Sequence, residues 1–207
     1  YVYDVDVSDE NQEYSGSDTC TVTITEASQS YSNNNGGGSS YTYEEKSGNN
    51  YLKSIYSKKV FKVSLNGDFS CPNRDGKISL NGCIFCSEKG SGDFAGEKSL
   101  PIKEQFYNIV KMMENKWNDG YYIAYFQANT NTYDTLENLK KRYEEIIKNG
   151  VLLDDKIKIL SIATRPDCLN EEIVSYLSEI NKTIPVWIEL GFQTMHHKTA
   201  ILINRGY

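Results

Sequence analysis

Apolar positions along this chain switch between two periods. Tyr51 to Tyr56 reads as a short helix, and Val60 to Leu65, rich in β-branched and aromatic residues, predicts a strand. Ile102, Phe106, Ile109, Val110 and Met113 then recur at helical spacing, with Ser99 as cap and Pro101 at the start. That stripe is read as core, not as a binding face. Tyr121 to Gln127 predicts a second strand, and Leu136 to Lys148 a helix ended by Asn149 and Gly150. Lys156 to Ala163 predicts a third strand. Asn170 caps a helix with Glu171 and Glu172 in its first turn. Pro185 to Gly191 predicts a fourth strand, and Thr194 starts a last helix. Strands alternating with helices imply βαβ crossovers and a parallel sheet. In such a sheet ligands gather at the carboxyl ends of the strands.

The first 46 residues follow a different pattern. Tyr1–Val7 and Thr19–Thr25 alternate as strands do, and Ser28–Ser40 is a Ser/Asn/Gly linker by composition. The two strand-like runs resemble the last hairpin of an extracellular PKD-like or immunoglobulin-like repeat. A lone hairpin is marginal in water, so the prefix is read as an acidic tail or fusion remnant that does not pack on the rest. The division is therefore 1–46, prefix, and 47–207, the α/β unit.

Charge supports that division. Nine of the 28 acids and none of the 22 Lys and Arg residues fall in residues 1–45. The net charge of −6 thus belongs to the prefix, and the remainder carries three more bases than acids. A mildly basic body tolerates a nucleic-acid substrate without demanding one. No run approaches the length of a membrane span, so no membrane partner is expected. The chain begins at Tyr1 and not at Met, which is read as a missing or processed start.

Three of the five cysteines, Cys71, Cys83 and Cys86, fall within sixteen residues, on a loop carrying Pro72, Gly76 and Gly82. The loop has neither helical nor strand period, so packing alone does not explain why its thiols are together. Three thiolates suit a soft metal centre. An iron–sulfur cluster usually takes four cysteines, so three would leave one iron open to another ligand. Structural zinc prefers four ligands at short paired spacings. Cys83 and Cys86 form such a pair, whereas Cys71 has no near partner and Cys20 and Cys168 are distant. Iron–sulfur, zinc and three unrelated buried cysteines remain the alternatives at this point. Clustered thiols in an otherwise Cys-poor α/β pattern argue for a reducing, cytoplasmic setting.

The run Phe61-Lys-Val-Ser-Leu-Asn-Gly-Asp-Phe-Ser-Cys71-Pro-Asn-Arg-Asp-Gly76, with Gly82-Cys83-Ile-Phe-Cys86-Ser, resembles the cluster loop of radical S-adenosylmethionine (radical SAM) enzymes. It is most similar to the branch that includes YhcC and YtqA, related to the radical SAM domain of the Elongator catalytic subunit. The eleven residues between Cys71 and Cys83 depart from the superfamily's commonest gap and match this branch. The resemblance runs from about Asn50 to Tyr207.

It implies an α/β partial (βα) barrel of parallel strands, of radical SAM type, with about four of six units present and the C-terminal part truncated. It implies a [4Fe–4S] cluster on Cys71, Cys83 and Cys86, with S-adenosylmethionine on the open iron. Phe85, the aromatic before the last cysteine, is implied as a cofactor contact. So are Gln127, Thr130 and Asn131, where the superfamily usually has a Gly-Gly-Glu segment binding the methionine amino group. Arg165 is expected to serve the methionine carboxylate, Glu189 the ribose or amino group, and Gln193 the same rim. The implied reaction cleaves S-adenosylmethionine to a 5′-deoxyadenosyl radical, in wobble-uridine modification of tRNA. The partners are then tRNA and a flavodoxin or ferredoxin. The alternatives are a zinc-stabilised Cys-rich binding module and an inactive fragment.

Overall fold

The computed structural model describes residues 48–114, 119–148 and 155–207. The prefix, with its expected hairpin and linker, and the helix stop at Asn149 and Gly150 lie outside the described residues. The order is α1 (Gly48–Tyr56), β1 (Val60–Leu65), α2 (Ile102–Glu114), β2 (Tyr121–Phe126), α3 (Leu136–Lys148), β3 (Ile157–Thr164), a 3-10 turn (Pro166–Cys168), α4 (Glu171–Asn181), β4 (Val186–Leu190) and α5 (His197–Leu202). The four strands form one sheet in the order β1-β2-β3-β4, and every neighbouring pair is parallel. The fold is α/β. Among the described residues no helix is long and apolar enough to cross a membrane.

The two faces of the sheet are covered unequally. Phe61, Val63, Leu65, Ala124, Phe126, Leu160 and Ile162 point to one face. Phe106 and Val110 of α2, Leu139 and Tyr143 of α3, and Ile173, Leu177 and Ile180 of α4 join them in one core. The opposite face holds Val60, Ile123 and Ile159 under Leu52 of α1, with Tyr56, Tyr121, Tyr125 and Trp187 half-buried around them. A parallel sheet ordinarily buries both faces. Here the second face is covered mainly at the amino ends of the strands, where α1 sits.

Several helix ends match local chemistry. The Asn170 side chain accepts from the Ile173 N–H at 2.8 Å, as an N-cap does. The last helix departs from expectation. It starts at His197, whose cap His196 makes no side-chain bond, and Thr194 lies before it and accepts from the His196 N–H. Before it, the Gly191 N–H donates to the Thr164 carbonyl of β3 at 2.8 Å, and the Phe192 and Thr194 carbonyls accept from Arg205.

Tyr143 ties this core to the rim above the strands. Its ring packs edge-on against Phe126 at 5.6 Å and stacks on Phe69 at 5.8 Å. Its hydroxyl donates to the Asn131 carbonyl at 2.7 Å in a fully buried position. Removing one partner of a buried hydrogen bond leaves the other unsatisfied and costs about 1–3 kcal/mol. Tyr143→Phe is therefore expected to lower urea stability by that amount, whereas Met112→Ala, on an exposed position, should stay within about 0.5 kcal/mol of the parent. Equal midpoints for the two variants would contradict this account.

Candidate functional site

Because all four strands run the same way, the segments after them meet at one rim. Asn66 to Cys71 leave β1, Gln127 to Thr132 leave β2, Arg165 to Cys168 leave β3, and Gly191 to Thr194 leave β4. Backbone bonds tie these exits together. The Gln127 N–H donates to the Leu65 carbonyl, Thr130 to Ser70, and Asn131 to Ala163.

The cysteine loop is irregular and is held by side chains. Buried Asn73 donates its amide to the Asn204 carbonyl at 2.7 Å, the Arg205 carbonyl at 3.0 Å and Cys83 Sγ at 3.2 Å. Asn204 returns the contact, donating to the Gly82 carbonyl at 2.8 Å and the Ser79 hydroxyl at 3.2 Å. Arg74 crosses the loop to the carbonyls of Ser87, Cys86 and Glu88. The residues after α5 are thus part of the site. Arg205 binds the carbonyls of Phe192 and Thr194, and the Tyr207 hydroxyl binds that of Gly191. The sequence reading did not single out Asn73, Asn204, Arg205 or Tyr207. Only Gly206 beside them carried a local signal, as a residue able to take a positive φ.

Among the described residues, each sulfur of the loop accepts a hydrogen bond from a different side chain. Asn73 donates to Cys83, Ser91 to Cys86 at 3.4 Å, and Arg165 to Cys71 at 3.8 Å. Ser91 sits at φ 61°, in the left-handed region that serine rarely adopts. Burial pushes the Cys83 thiol up; the Asn73 bond and Arg165 oppose that, while Cys71 and Cys86 add to it. The three sulfurs therefore share one electrostatic neighbourhood. Among the described residues no group of three or more His, Cys, Asp or Glu side chains is arranged to hold a metal ion. The thiols are neighbours without forming a closed cage.

Cys168 behaves differently. Its thiol faces the Asp167 carboxylate at 3.9 Å. Burial first, and the Asp167 charge second, push it up to about 12.

The expected cofactor contacts scatter around this rim. Arg165 is buried and gripped by Asp167 through Nε at 2.9 Å and Nη2 at 2.8 Å. Asn131 and Thr130 are also buried. The Asn131 amide donates to the Phe126 and Ala163 carbonyls, stapling the ends of β2 and β3, while its Oδ1 finds no partner among the described residues. Gln127 is half-buried at the end of β2. Gln193 is exposed at φ 69° and folds back over Gly191. Phe85 is half-exposed.

Glu189 lies on the less covered face of the sheet. It is bound there by Lys62 of β1 and by the Ser161 hydroxyl of β3 at 2.7 Å. The Lys62 ammonium stands 4.3 Å from the centre of the Tyr125 ring. Burial, then the Glu189 charge and a hydrogen bond to it, push the Tyr125 hydroxyl well up. Four strands thus meet at one carboxylate, a cluster from which the sequence reading named only Glu189.

A groove of about 620 Å³ runs behind the loop, between Pro72, Asp75, Tyr133, Arg142, Cys168 and Ile173. Of the expected cofactor contacts, Phe85, Gln127, Thr130, Asn131, Arg165, Glu189 and Gln193 do not line it.

No family model matches the chain. It is similar to uncharacterized protein YtqA of Bacillus subtilis (strain 168), 50% identical over 159 residues, which are 77% of this chain and 48% of that protein. It is also similar to protein YhcC of Escherichia coli (strain K12), 37% identical over 153 residues, 73% of this chain and 47% of that protein. The chain spans about half the length of the curated relatives it matches.

Two consequences are measurable. Gly206 has φ +83°, and a methyl there would lie 2.6 Å from Ile78 and 2.8 Å from Asn73 Oδ1. Gly76 has φ +91° but meets only Leu80, at 3.4 Å. Both glycine-to-alanine changes strain the backbone, and only Gly206→Ala adds a clash, of about 1–3 kcal/mol. Gly206→Ala should therefore lower the urea midpoint more than Gly76→Ala does. The second consequence concerns pH. A thiol pushed up to about 12 holds little thiolate at pH 9, and the thiolate is the reactive form. Cys168 should resist iodoacetamide at pH 9 in the folded protein, react faster as pH rises, and react readily in urea, as read by peptide mass.

Proposed function

We propose that this chain carries the cofactor-binding half of a radical SAM enzyme, built on a partial (βα) barrel. In this reading Cys71, Cys83 and Cys86 hold a [4Fe–4S] cluster whose fourth iron takes S-adenosylmethionine. The observation that carries the reading is the set of three hydrogen bonds onto the loop sulfurs, from Asn73, Ser91 and Arg165. Donors aimed at sulfur suit metal-bound thiolates, whose charge they stabilise and whose orientation they fix. Cys168, the other cysteine among the described residues, makes no such bond and turns toward a carboxylate. The likeness to YtqA and YhcC supports the branch proposed, while their names assign no chemistry.

When bound, the cofactors supply one-electron cleavage of a sulfonium and hydrogen abstraction from the substrate. The chain's own contribution is to hold and orient. Asn73 and the Asn204 segment fix Cys83 relative to the end of the chain. Ser91 fixes Cys86, and Arg165 places a positive charge beside Cys71. Asn131 and Thr130 brace the rim from beneath. Tyr125, Lys62 and Glu189 present hydrogen-bonding groups on the open face of the sheet. The substrate we propose is tRNA at its wobble uridine, with a flavodoxin or ferredoxin as electron donor. The small excess of bases over acids outside the prefix is compatible with a polyanionic partner.

Anaerobic reconstitution with iron and sulfide tests the cluster. The parent should turn brown and bind four iron atoms per chain, the content of one [4Fe–4S] cluster. Cys71→Ala, Cys83→Ala and Cys86→Ala should each lose nearly all of it, while Cys168→Ala and Cys20→Ala keep it. Colourless protein carrying zinc would replace the reading with a zinc module. Full iron content in Cys71→Ala would remove the ligand at the widest spacing and with it the assignment.

A further inference from the structure

Of the three side chains that donate to the loop sulfurs, only Arg165 carries a charge. It is 7% exposed. A buried guanidinium must be matched in charge and in hydrogen bonds. Asp167 supplies both, accepting from Nε and Nη2 in a two-point fork. The Tyr207 ring covers the guanidinium face, with its centre 4.6 Å from Cζ. The remaining nitrogen, Nη1, points to Cys71 Sγ at 3.8 Å. Burial pulls Arg165 down, but the bond to Asp167, its charge and Cys71 more than offset this, and the net shift is upward. The positive charge is permanent, and ring and fork hold it in place.

The resemblance implies that Arg165 serves the methionine carboxylate. A carboxylate that grips two parallel N–H groups takes one whole edge of a guanidinium. The Nε–Nη2 edge is taken by Asp167, and the other end faces a sulfur. Besides Cys71, Arg165 also acts on Cys83, whose thiol its charge lowers.

We infer that Arg165 is a fixed counter-cation of the cysteine loop: it raises the electron affinity of a centre held by Cys71, Cys83 and Cys86, and Asp167 opposes it. The inference rests on the iron–sulfur reading of those thiols. Reduction adds one electron, and a cation next to a ligand sulfur stabilises the added negative charge. Arg165 itself is nearly excluded from water, so its charge is only partly screened. Arg165 acts through Cys71 and is a positioning residue, not a catalytic one.

The test is a redox titration of iron- and sulfide-reconstituted protein in the absence of S-adenosylmethionine. Dithionite donates one electron per centre, and electron paramagnetic resonance reads the reduced fraction. Arg165→Met should lower the midpoint, cutting the reduced-to-oxidised ratio at fixed potential about tenfold, which is about 59 mV for a one-electron couple. Asp167→Asn should shift it the opposite way, and Arg165→Lys, which keeps the charge, should stay near the parent. Opposite shifts from two bonded partners are the signature of charge, because a merely structural role would move both variants alike or cost both their iron. If the parent binds iron and neither midpoint moves, this inference falls and the cluster reading stands. A parent that binds no iron overturns both. Should Arg165→Met fail to fold by circular dichroism, Asp167→Asn decides alone, and a midpoint that does not rise there overturns the inference. Weakened S-adenosylmethionine binding in Arg165→Met with an unchanged midpoint would return Arg165 to the carboxylate role.

Discussion

The buried Asn73 amide joins the parts of the site that chain topology alone would leave separate. It reaches Cys83 Sγ and the carbonyls of Asn204 and Arg205, so one side chain binds the first loop of the unit to its last residues. The Cys71–Cys86 loop has no strand or helix to satisfy its backbone, and a buried polar group without a partner is costly. Asn73, Arg74 and Asn204 supply the missing donors, and Gly206 gives up a side chain so that the two segments can approach. The Oδ1 of Asn73, with no partner among the described residues, marks this as a place where polar satisfaction is incomplete.

Below the rim, the sheet is packed firmly on one side only. The face under α2, α3 and α4 is a continuous apolar core, closed at the top by Tyr143. The other face combines aromatic rings with the Lys62, Ser161 and Glu189 bonds. An ion pair part-exposed to water contributes little stability. Its geometric consequence is larger: a lysine from the first strand and a glutamate from the fourth are held at one point of the sheet surface.

The electrostatics at the thiols follow the same logic of fixed placement. Asn73 and Ser91 offer neutral dipoles, while Arg165 offers a full charge already matched by Asp167 and shielded by Tyr207. The pair restrains a charge that would otherwise seek water. Cys168, only three residues from Arg165, falls on the carboxylate side of that pair. Two cysteines at one rim thus receive opposite surroundings from the two ends of a single ion pair.

The α/β alternation, the four strands and most helix limits were legible in the chain, because apolar period and capping residues such as Asn170 act over a few neighbours. The three loop cysteines could be singled out for the same reason, since their spacing within an irregular stretch needs no partner to be seen. What the tertiary structure alone decided is contact across the chain. Asn131, expected to face a ligand, is buried as a staple between strand ends. Arg165, expected to serve a carboxylate, is gripped by Asp167 and faces Cys71 Sγ. Lys62 meets Glu189 and Asn73 meets Asn204 although well over a hundred residues separate each pair. Local pattern specifies which residues form a strand or a loop; parallel pairing then sends every strand's carboxyl end to one rim, and only that convergence determines which side chains share a bond.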